Sequence, residues 1–435
     1  MPSKKPNIIL FITHDQGQFL SCYNSPQTPN SLKTPNLDNL AKVGIRFTNY
    51  FCTAPQCSPS RGSIQTSLYP HQNGLMGLVD RGWTLPESNK TLPMYLKENS
   101  YSTHLLGFQH EAFDASTLGY DTISKRRSEP LYNCHKMNKN YRRFFEEHQL
   151  VNNPFFLNIG VVQVHRPFGV WAGNPVNPEE VKIPPYLPDN ETVREDLSQF
   201  YKAIQGVDEC IGDILKMLEE FGLRDDTLFI YTTDHGEAYP RAKCTLYDPG
   251  IKTLLLISHP NSEFIKKGTV YQQMASNIDL MPTLLDLIGA KVPEKIEGRS
   301  FLPLLRGESE IFRKEIYSEK SFHEIYDPIR SIRTERYKFI MNFRENSDRY
   351  QIAADMRQDA VGKYFLNLVE KTRPVEELYD LKIDPNEVNN LIDDINHNET
   401  AKELKAKLLD WMRRTDDPLL KGKIPDRRSE PPLKY

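Results

Sequence analysis

Six runs rich in aliphatic, β-branched and aromatic residues set the terms for this chain: NIILFIT (7–13), IRFTNYF (45–51), STHLLGF (102–108), PFFLNIGVVQV (154–164), TLFIYTT (227–233) and KTLLLIS (252–258). Between them lie stretches with apolar residues at helical spacing. Examples are TPNLDNLAKVG, the long VREDLSQFYKAIQGVDECIGDILKMLEEFG and NIDLMPTLLDLIG. A strand that is apolar on both faces must be covered on both faces, and strands that alternate with helices pair in parallel. The expected architecture is α/β, with a mostly parallel central sheet between helices. The pattern changes after GRSFLPLLRG. Short strand-like segments follow, KEIYSEK and PIRSIRTERYKFIMNF, then the turn DPNEVNN and a last helix, TAKELKAKLLDWMRR. We therefore expect a large domain over residues 1–310 and a smaller α+β domain with an antiparallel sheet over 311–435. The polar, Pro-rich end KGKIPDRRSEPPLKY is expected to wrap the surface or fray.

With 435 residues, 38% of them hydrophobic, there is material for a large buried core and a smaller one. Acids and bases nearly balance at a net charge of -3, which argues against nucleic acid or an acidic membrane as a partner held by bulk charge. An anionic substrate would need a local basic pocket instead. The N-terminal MPSKKPNIILFIT lacks the long apolar core and small-residue cleavage site of a signal peptide, and IILFI is too short to span a bilayer. The six cysteines (Cys22, Cys52, Cys57, Cys134, Cys210, Cys244) show no CxxC pair and no zinc-site spacing. Free thiols and a cytoplasmic location are the expectation. Oligomeric state is not legible in the sequence.

Several apolar runs end in titratable residues. NIILFIT runs into His14-Asp15, TLFIYTT into Asp234-His235-Gly236, and PFFLNIGVVQV into His165-Arg166, while His110 follows STHLLGF. Ligands of doubly wound sheets bind outside the carboxyl ends of the strands, so these clusters are expected to converge on one site. Any one of them alone would be an ordinary polar loop residue. Asp15, Asp234 and His235 make a hard-ligand set suited to Ca²⁺, Mg²⁺ or Mn²⁺, the imidazole shifting the balance toward Mn²⁺.

The most specific stretch is CSPSRGS, from Cys57 to Ser63. It reads as a loop meeting a helix, with Pro59 suited to the first turn. A lone cysteine is usually a small buried hydrophobe, and a helix N-terminus supports a reactive thiolate only weakly.

Cys57-Ser58-Pro59-Ser60-Arg61 resembles the C-x-P-S-R signature of type I sulfatases, formylglycine-dependent enzymes of the alkaline phosphatase superfamily. The resemblance extends over TPNLDNLAKVGIRFTNYF, YPHQNGLMG, the Asp-His-Gly after a strand, and GRSFLPLL, and so covers essentially the whole chain. CSPSR with PHQNG, the Lys243-containing AKCTLYDPG, HEIYDPIRSIRTERYKFI and ELYDLKIDPNEVNNL look most similar to sulfamidases, the heparan N-sulfatases. The resemblance implies that Cys57 is converted to 3-oxoalanine (formylglycine) by a maturation enzyme and becomes the nucleophile. It implies one divalent metal, calcium first with Mn²⁺ or Mg²⁺ as alternatives, held by Asp15, Asp234, His235 and residue 57. Arg61 would hold the formylglycine loop, and Lys243 would bind sulfate oxygens. His165 is assigned to the leaving atom and His110 to collapse of the hemiacetal, in an order the sequence does not decide. Arg166, His323 and Glu324 are candidates for binding a sulfated saccharide.

Several positions depart from the family pattern. His14 stands where the family has the first of two aspartates, which leaves a possible metal neighbour in place of a carboxylate. Phe108 replaces a lysine two residues before His110, and Thr66-Ser67 replaces Thr-Gly. The leading expectation is a sulfatase acting on N-sulfoglucosamine at the non-reducing end of heparan-type glycans. The alternatives are a sugar or aryl O-sulfatase, a phosphonate monoester or phosphodiester hydrolase of the same superfamily, and a non-catalytic glycan-binding protein.

Overall fold

A computed structural model describes residues 5–26, 31–124, 133–151, 153–344, 352–366 and 373–427. Nine strands form the large sheet: β1 Asn7–Thr13, β2 Ile45–Phe51, β3 Ser102–Gly107, β4 Thr122–Ile123, β5 Phe155–Gly160, β6 Thr227–Thr233, β7 Lys252–Ser258, β8 Thr269–Tyr271 and β9 Ala275–Ser276. Their order is β4-β3-β5-β1-β6-β7-β2-β8, with β9 also paired to β2. Every pairing is parallel except those of β7 with β6 and β2. Two antiparallel steps restore direction, so the carboxyl ends of β1, β2, β3, β5 and β6 share one edge of the sheet.

The apolar runs are apolar because both faces are buried. On β1, Ile9 and Phe11 pack into one core, against the helices Pro35–Val43, Asn138–His148 and Glu191–Glu220. Ile8, Leu10 and Ile12 face the other core, with Ile64, Leu92, Leu96 and the helix Leu280–Leu287. Each such side chain contributes about 1.5–3 kcal/mol of burial, and this fixes the sheet as a rigid floor. The 30-residue helix Glu191–Glu220 starts at Asn190, whose side chain accepts from the Val193 N–H.

A second sheet of four antiparallel strands follows, ordered β10-β11-β12-β13: β10 Glu315–Phe322, β11 Tyr326–Thr334, β12 Tyr337–Asn342 and β13 Glu376–Asp380. The helix Asn398–Arg414 covers it through Leu404, Leu408 and Trp411, which pack on Ile332, Phe339 and Leu378. Both architectures are those read from the sequence. After the helix the chain continues over the large domain, where Ile424 is buried and the Arg427 guanidinium lies 5.1 Å from the Trp83 ring centre. The end of the tail, 428–435, lies outside the described residues.

The cysteine expectation needs correcting. Cys134 and Cys210 form a disulfide, Cα atoms 5.8 Å apart, between the entry to the helix Asn138–His148 and the long helix. Cys22, Cys52, Cys57 and Cys244 are free. Pairs far apart in sequence give no local signal, and this one removes the thiol argument for a reducing compartment. Among the described residues no helix is long and apolar enough to cross a membrane.

Candidate active site

The strand-end clusters do converge. Asp15 and Asp234 leave the adjacent strands β1 and β6, and the Asp15 backbone N–H donates to Asp234 Oδ1 at 3.0 Å. Asp15 sits in the left-handed region at φ 53°, unusual for a side chain other than glycine and the kind of local strain found at functional positions. Gly236, the last residue of the Asp-His-Gly motif, allows no other residue: an added Cβ would lie 1.8 Å from the Pro249 carbonyl oxygen.

Cys57 opens the helix Cys57–Thr66, all ten residues of which are buried. Its Sγ lies 3.4 Å from His235 Nε2 and 4.0 Å from Asp15 Oδ1. Two signature residues lock the helix onto β6. Ser60 Oγ donates to the Asp234 carbonyl, and the buried Arg61 guanidinium donates from Nε to Asp234 Oδ2 at 3.0 Å and from Nη2 to the Thr13 carbonyl at 3.1 Å. Phe108 lies under Arg61, 5.1 Å from ring centre to guanidinium carbon, so the lysine position of the family pattern is filled by an aromatic support. Ser67 caps the helix at φ 59°, where glycine is the easy residue, and its hydroxyl donates to the Ile278 carbonyl at 2.6 Å.

Lys243 is buried and its Nζ donates to Asp15 Oδ2 at 2.6 Å and to Asp355 Oδ2 at 2.7 Å. It sits between Arg241 at φ 69° and Cys244 at φ 68°. His165 Nε2 is 3.8 Å from Asp15 Oδ2 and 3.4 Å from Asp355 Oδ2, while its Nδ1 faces the Arg166 carbonyl at 2.6 Å. His110 stands further out, with Nε2 3.5 Å from Asp80 Oδ1 and its ring 6.5 Å from that of His14.

Charge within this group is uneven. Burial favours neutral carboxyls, yet Lys243, His14 and His235 hold Asp15 well below the usual carboxylate range. His14, His235 and Arg61 do the same for Asp234. Burial pushes His14 down to about 4, against the pull of Asp234 and Asp15, so it is a neutral imidazole at pH 7. His235 goes the other way: burial opposes its protonation, but Asp234 and Asp15 outweigh burial and raise it. Burial also pushes the Cys57 thiol well above its ordinary value, with Lys243 opposing and Asp15 adding. The helix terminus therefore does not make a thiolate here.

The ligand atoms of His14, Asp15, Cys57, Asp234 and His235 all lie within 4.8 Å of one another. Two ionised carboxylates facing a neutral imidazole in a dry pocket suit a hard divalent cation, and His14 offers a nitrogen where the pattern has a carboxylate. With Asp355 the site holds three carboxylates against Lys243 and Arg61. A divalent ion would bring the total to one positive charge, matched by the single negative charge of a sulfate monoester.

Arg166, His323 and Glu324 are not placed as expected. The Arg166 guanidinium is buried and paired inside the protein: its Nη1 and Nη2 reach Asp196 at 2.9 and 2.6 Å, Nη1 also reaches Asp359 at 2.8 Å, and Nε donates to the Ala238 carbonyl at 3.0 Å. Four of its five N–H donors are thus engaged within the protein. His323 Nδ1 and Glu324 Oε2 are 2.8 Å apart, and Glu324 Oε1 accepts from the Ala354 N–H at 2.5 Å. This pair supports the segment that carries Asp355, the one side chain of the site that the sequence did not reveal. QIAADMRQDA has no motif, and its place in the site depends on how the small domain docks.

A family model described as Sulfatase matches residues 6–290, and one described as N-sulphoglucosamine sulphohydrolase, C-terminal, matches 236–373. Among similar proteins is the N-sulphoglucosamine sulphohydrolase of Homo sapiens, 27% identical over 95% of this chain and 91% of its own length. Another is an ulvan-active sulfatase of Formosa agariphila, 29% identical over 97% of this chain and 83% of its own. Among solved structures, one in complex with its substrate D-glucosamine-2-N,6-O-disulfate superposes with a TM-score of 0.74 at 22% identity, covering 97% of this chain and all (100%) of the other.

Proposed function

Because this chain belongs to the sulfatase family, we propose that it hydrolyses sulfate from sulfated saccharides, with N-sulfoglucosamine at the non-reducing end of heparan-type glycans as its substrate. The observation that carries the chemistry is the setting of Cys57, a neutral, buried thiol at 3.4 Å from His235 and within the Asp15–Asp234 pair. A thiol held neutral makes a poor nucleophile but a suitable precursor. Converted to formylglycine and hydrated, residue 57 presents two hydroxyls. One attacks sulfur and displaces the leaving nitrogen or oxygen, which takes up a proton. The other then loses its proton as the aldehyde reforms and sulfate departs, and water rehydrates the aldehyde.

His14, Asp15, Asp234, His235 and residue 57 would hold a divalent ion, calcium by preference, which when bound polarises sulfate oxygens and acidifies a hydroxyl. The chain's own residues do the rest. Lys243 supplies a fixed positive charge, since Asp15 and Asp355 outweigh burial and hold it well above its ordinary value. Arg61 keeps the Cys57 helix on β6. His165, with Nδ1 on the Arg166 carbonyl, holds Nε2 beside Asp355 and Asp15, from where it would supply the proton that the leaving atom needs.

Support for the amino sugar comes from the C-terminal family model and the human relative. The test uses protein co-expressed with a formylglycine-generating enzyme and compares glucosamine N-sulfate with glucosamine 6-O-sulfate. Preference for the N-sulfate is expected. Preference for the 6-O-sulfate would keep the chemistry and replace the substrate. His14 in the first aspartate position favours one further comparison, and faster cleavage of a phosphonate ester with the same leaving group would move the chain to the phosphonate hydrolases.

A further inference from the structure

Asp355 is the side chain that the small domain inserts into the site, and it is held there firmly. Its turn, Ala354–Arg357, is pinned by the Glu324 carboxylate on the Ala354 N–H and by Arg357 Nε, which donates to the Ile352 carbonyl at 2.8 Å. Ile352, Ala353 and Met356 are buried together with Cys244, next to Lys243 in sequence. The carboxylate is ionised, because Lys243 and His165 outweigh burial and the nearby Asp15 and lower it to about 2.

Its two oxygens differ. Oδ2 takes 2.7 Å from Lys243 and 3.4 Å from His165. Oδ1 is buried and accepts from no donor among the described residues. The buried carboxylate of Asp417, by contrast, is saturated. Asp417 Oδ1 and Oδ2 take Arg330 Nη2 and Nε at 3.0 and 2.6 Å, and Oδ1 also takes the Leu419 N–H. Leaving a buried charged acceptor empty costs about 1–3 kcal/mol or more, so a donor brought to Oδ1 by a bound molecule would be favoured.

We propose that Asp355 determines specificity: Oδ1 accepts a hydrogen bond from a hydroxyl or amine borne by the substrate beside the scissile sulfate, while Oδ2 keeps Lys243 on the sulfate. The proposal rests on the sulfatase reading above. It sharpens the substrate class to saccharides that are sulfated at the reacting position and carry a free donor next to it. A second sulfate or a carboxylate at that neighbouring position meets the Asp355 charge and is rejected.

The test compares wild-type, Asp355→Ala and Asp355→Asn proteins, each carrying formylglycine and checked for an unchanged melting profile. The probes are glucosamine N-sulfate, analogues with the neighbouring hydroxyls removed one at a time, and 4-nitrophenyl sulfate. The wild type is expected to lose about tenfold to a hundredfold in kcat/KM when the hydroxyl that Asp355 reads is removed, the size of one charge-assisted hydrogen bond. In Asp355→Ala that loss should shrink below about threefold, and the saccharide should fall at least tenfold further than the aryl sulfate. An undiminished hydroxyl preference in Asp355→Ala overturns the proposal. So does an equal fall on saccharide and aryl sulfate, which would make Asp355 a counter-ion to Lys243 only. A rise on both would make it a plug in the anion seat and overturn it as well. A wild type that cleaves 4-nitrophenyl sulfate but no saccharide sulfate overturns the specificity while the sulfatase chemistry stands. Cleavage of neither fails the sulfatase reading itself.

Discussion

Two regions of this molecule bury charge, and they do so in opposite ways. At the seam between the sheets, ionised side chains are paired with opposite charges. Arg330 is shared by Asp417 and Glu319, and Glu319 also engages the His71 ring and backbone N–H. Asp248 takes Arg333 at 3.0 Å and Lys338 at 2.6 Å, and Lys338 reaches Glu387 at 2.7 Å. At the strand ends, by contrast, three carboxylates share two cations: Lys243 bridges Asp15 and Asp355, Arg61 holds Asp234, and Asp355 keeps one oxygen with no donor among the described residues. Matched charge fixes how the domains sit. Unmatched charge is left for an ion and a substrate to complete.

The contrast breaks most sharply at Cys57. Replacing Cys57 with Ala should lower turnover by about 10³-fold or more, since the nucleophile is gone, with a melting temperature within about 2 °C of wild type. Substantial residual turnover of any sulfate ester in that variant would remove residue 57 from the chemistry. Stripping divalent metal should lower activity about 10²-fold or more, and one divalent ion should restore it while raising the melting temperature. Rates that survive exhaustive chelation would undo the ion site. At the seam the order reverses. Arg330→Met leaves Asp417 and Glu319 buried without their cation, and urea unfolding should show a loss of about 3–5 kcal/mol. Turnover per folded molecule should stay within about threefold of wild type, because Arg330 touches nothing at the strand ends.

The smallest effect expected concerns Glu237, buried close behind the site. Burial raises its carboxyl to about 7, against the bond from the Tyr186 hydroxyl. Folding therefore takes up a proton, and stability is lost as pH climbs from the ordinary carboxyl value toward about 7. Glu237→Gln removes that dependence, so its melting temperature should fall less than that of wild type between pH 5.5 and 8, by about 2 °C. Parallel curves for the two proteins would show that Glu237 is already ionised in the fold.

The sequence made the large sheet legible because each major strand announced itself by burying both faces, and β4, β8 and β9, at two or three residues, are too short to do so. The metal-ligand candidates were legible for a related reason: they lie at strand ends, where a periodic pattern stops and a titratable residue begins. Arg166 carried the same mark and means something else, since only the fold shows Asp196 and Asp359 waiting for it. Asp355 carried no mark. Its position follows from docking between domains and from Glu324, whose own role could not be guessed from a turn beside Pro328. Cys134 and Cys210 were misjudged for a like reason, because their meeting depends on how two helices cross.

The burial of the Cys57 helix also sets a timetable. Residue 57 is 3% exposed, and its neighbours through Thr66 are buried as well. On the formylglycine chemistry proposed above, an enzyme that modifies Cys57 would need access to a segment that the folded protein buries. That oxidation would then have to precede folding. A molecule that folded first would stay a thiol, intact by every structural measure and idle. The active fraction of any preparation would then record how synthesis was paced, and no later addition of the maturation enzyme to the folded protein would raise it.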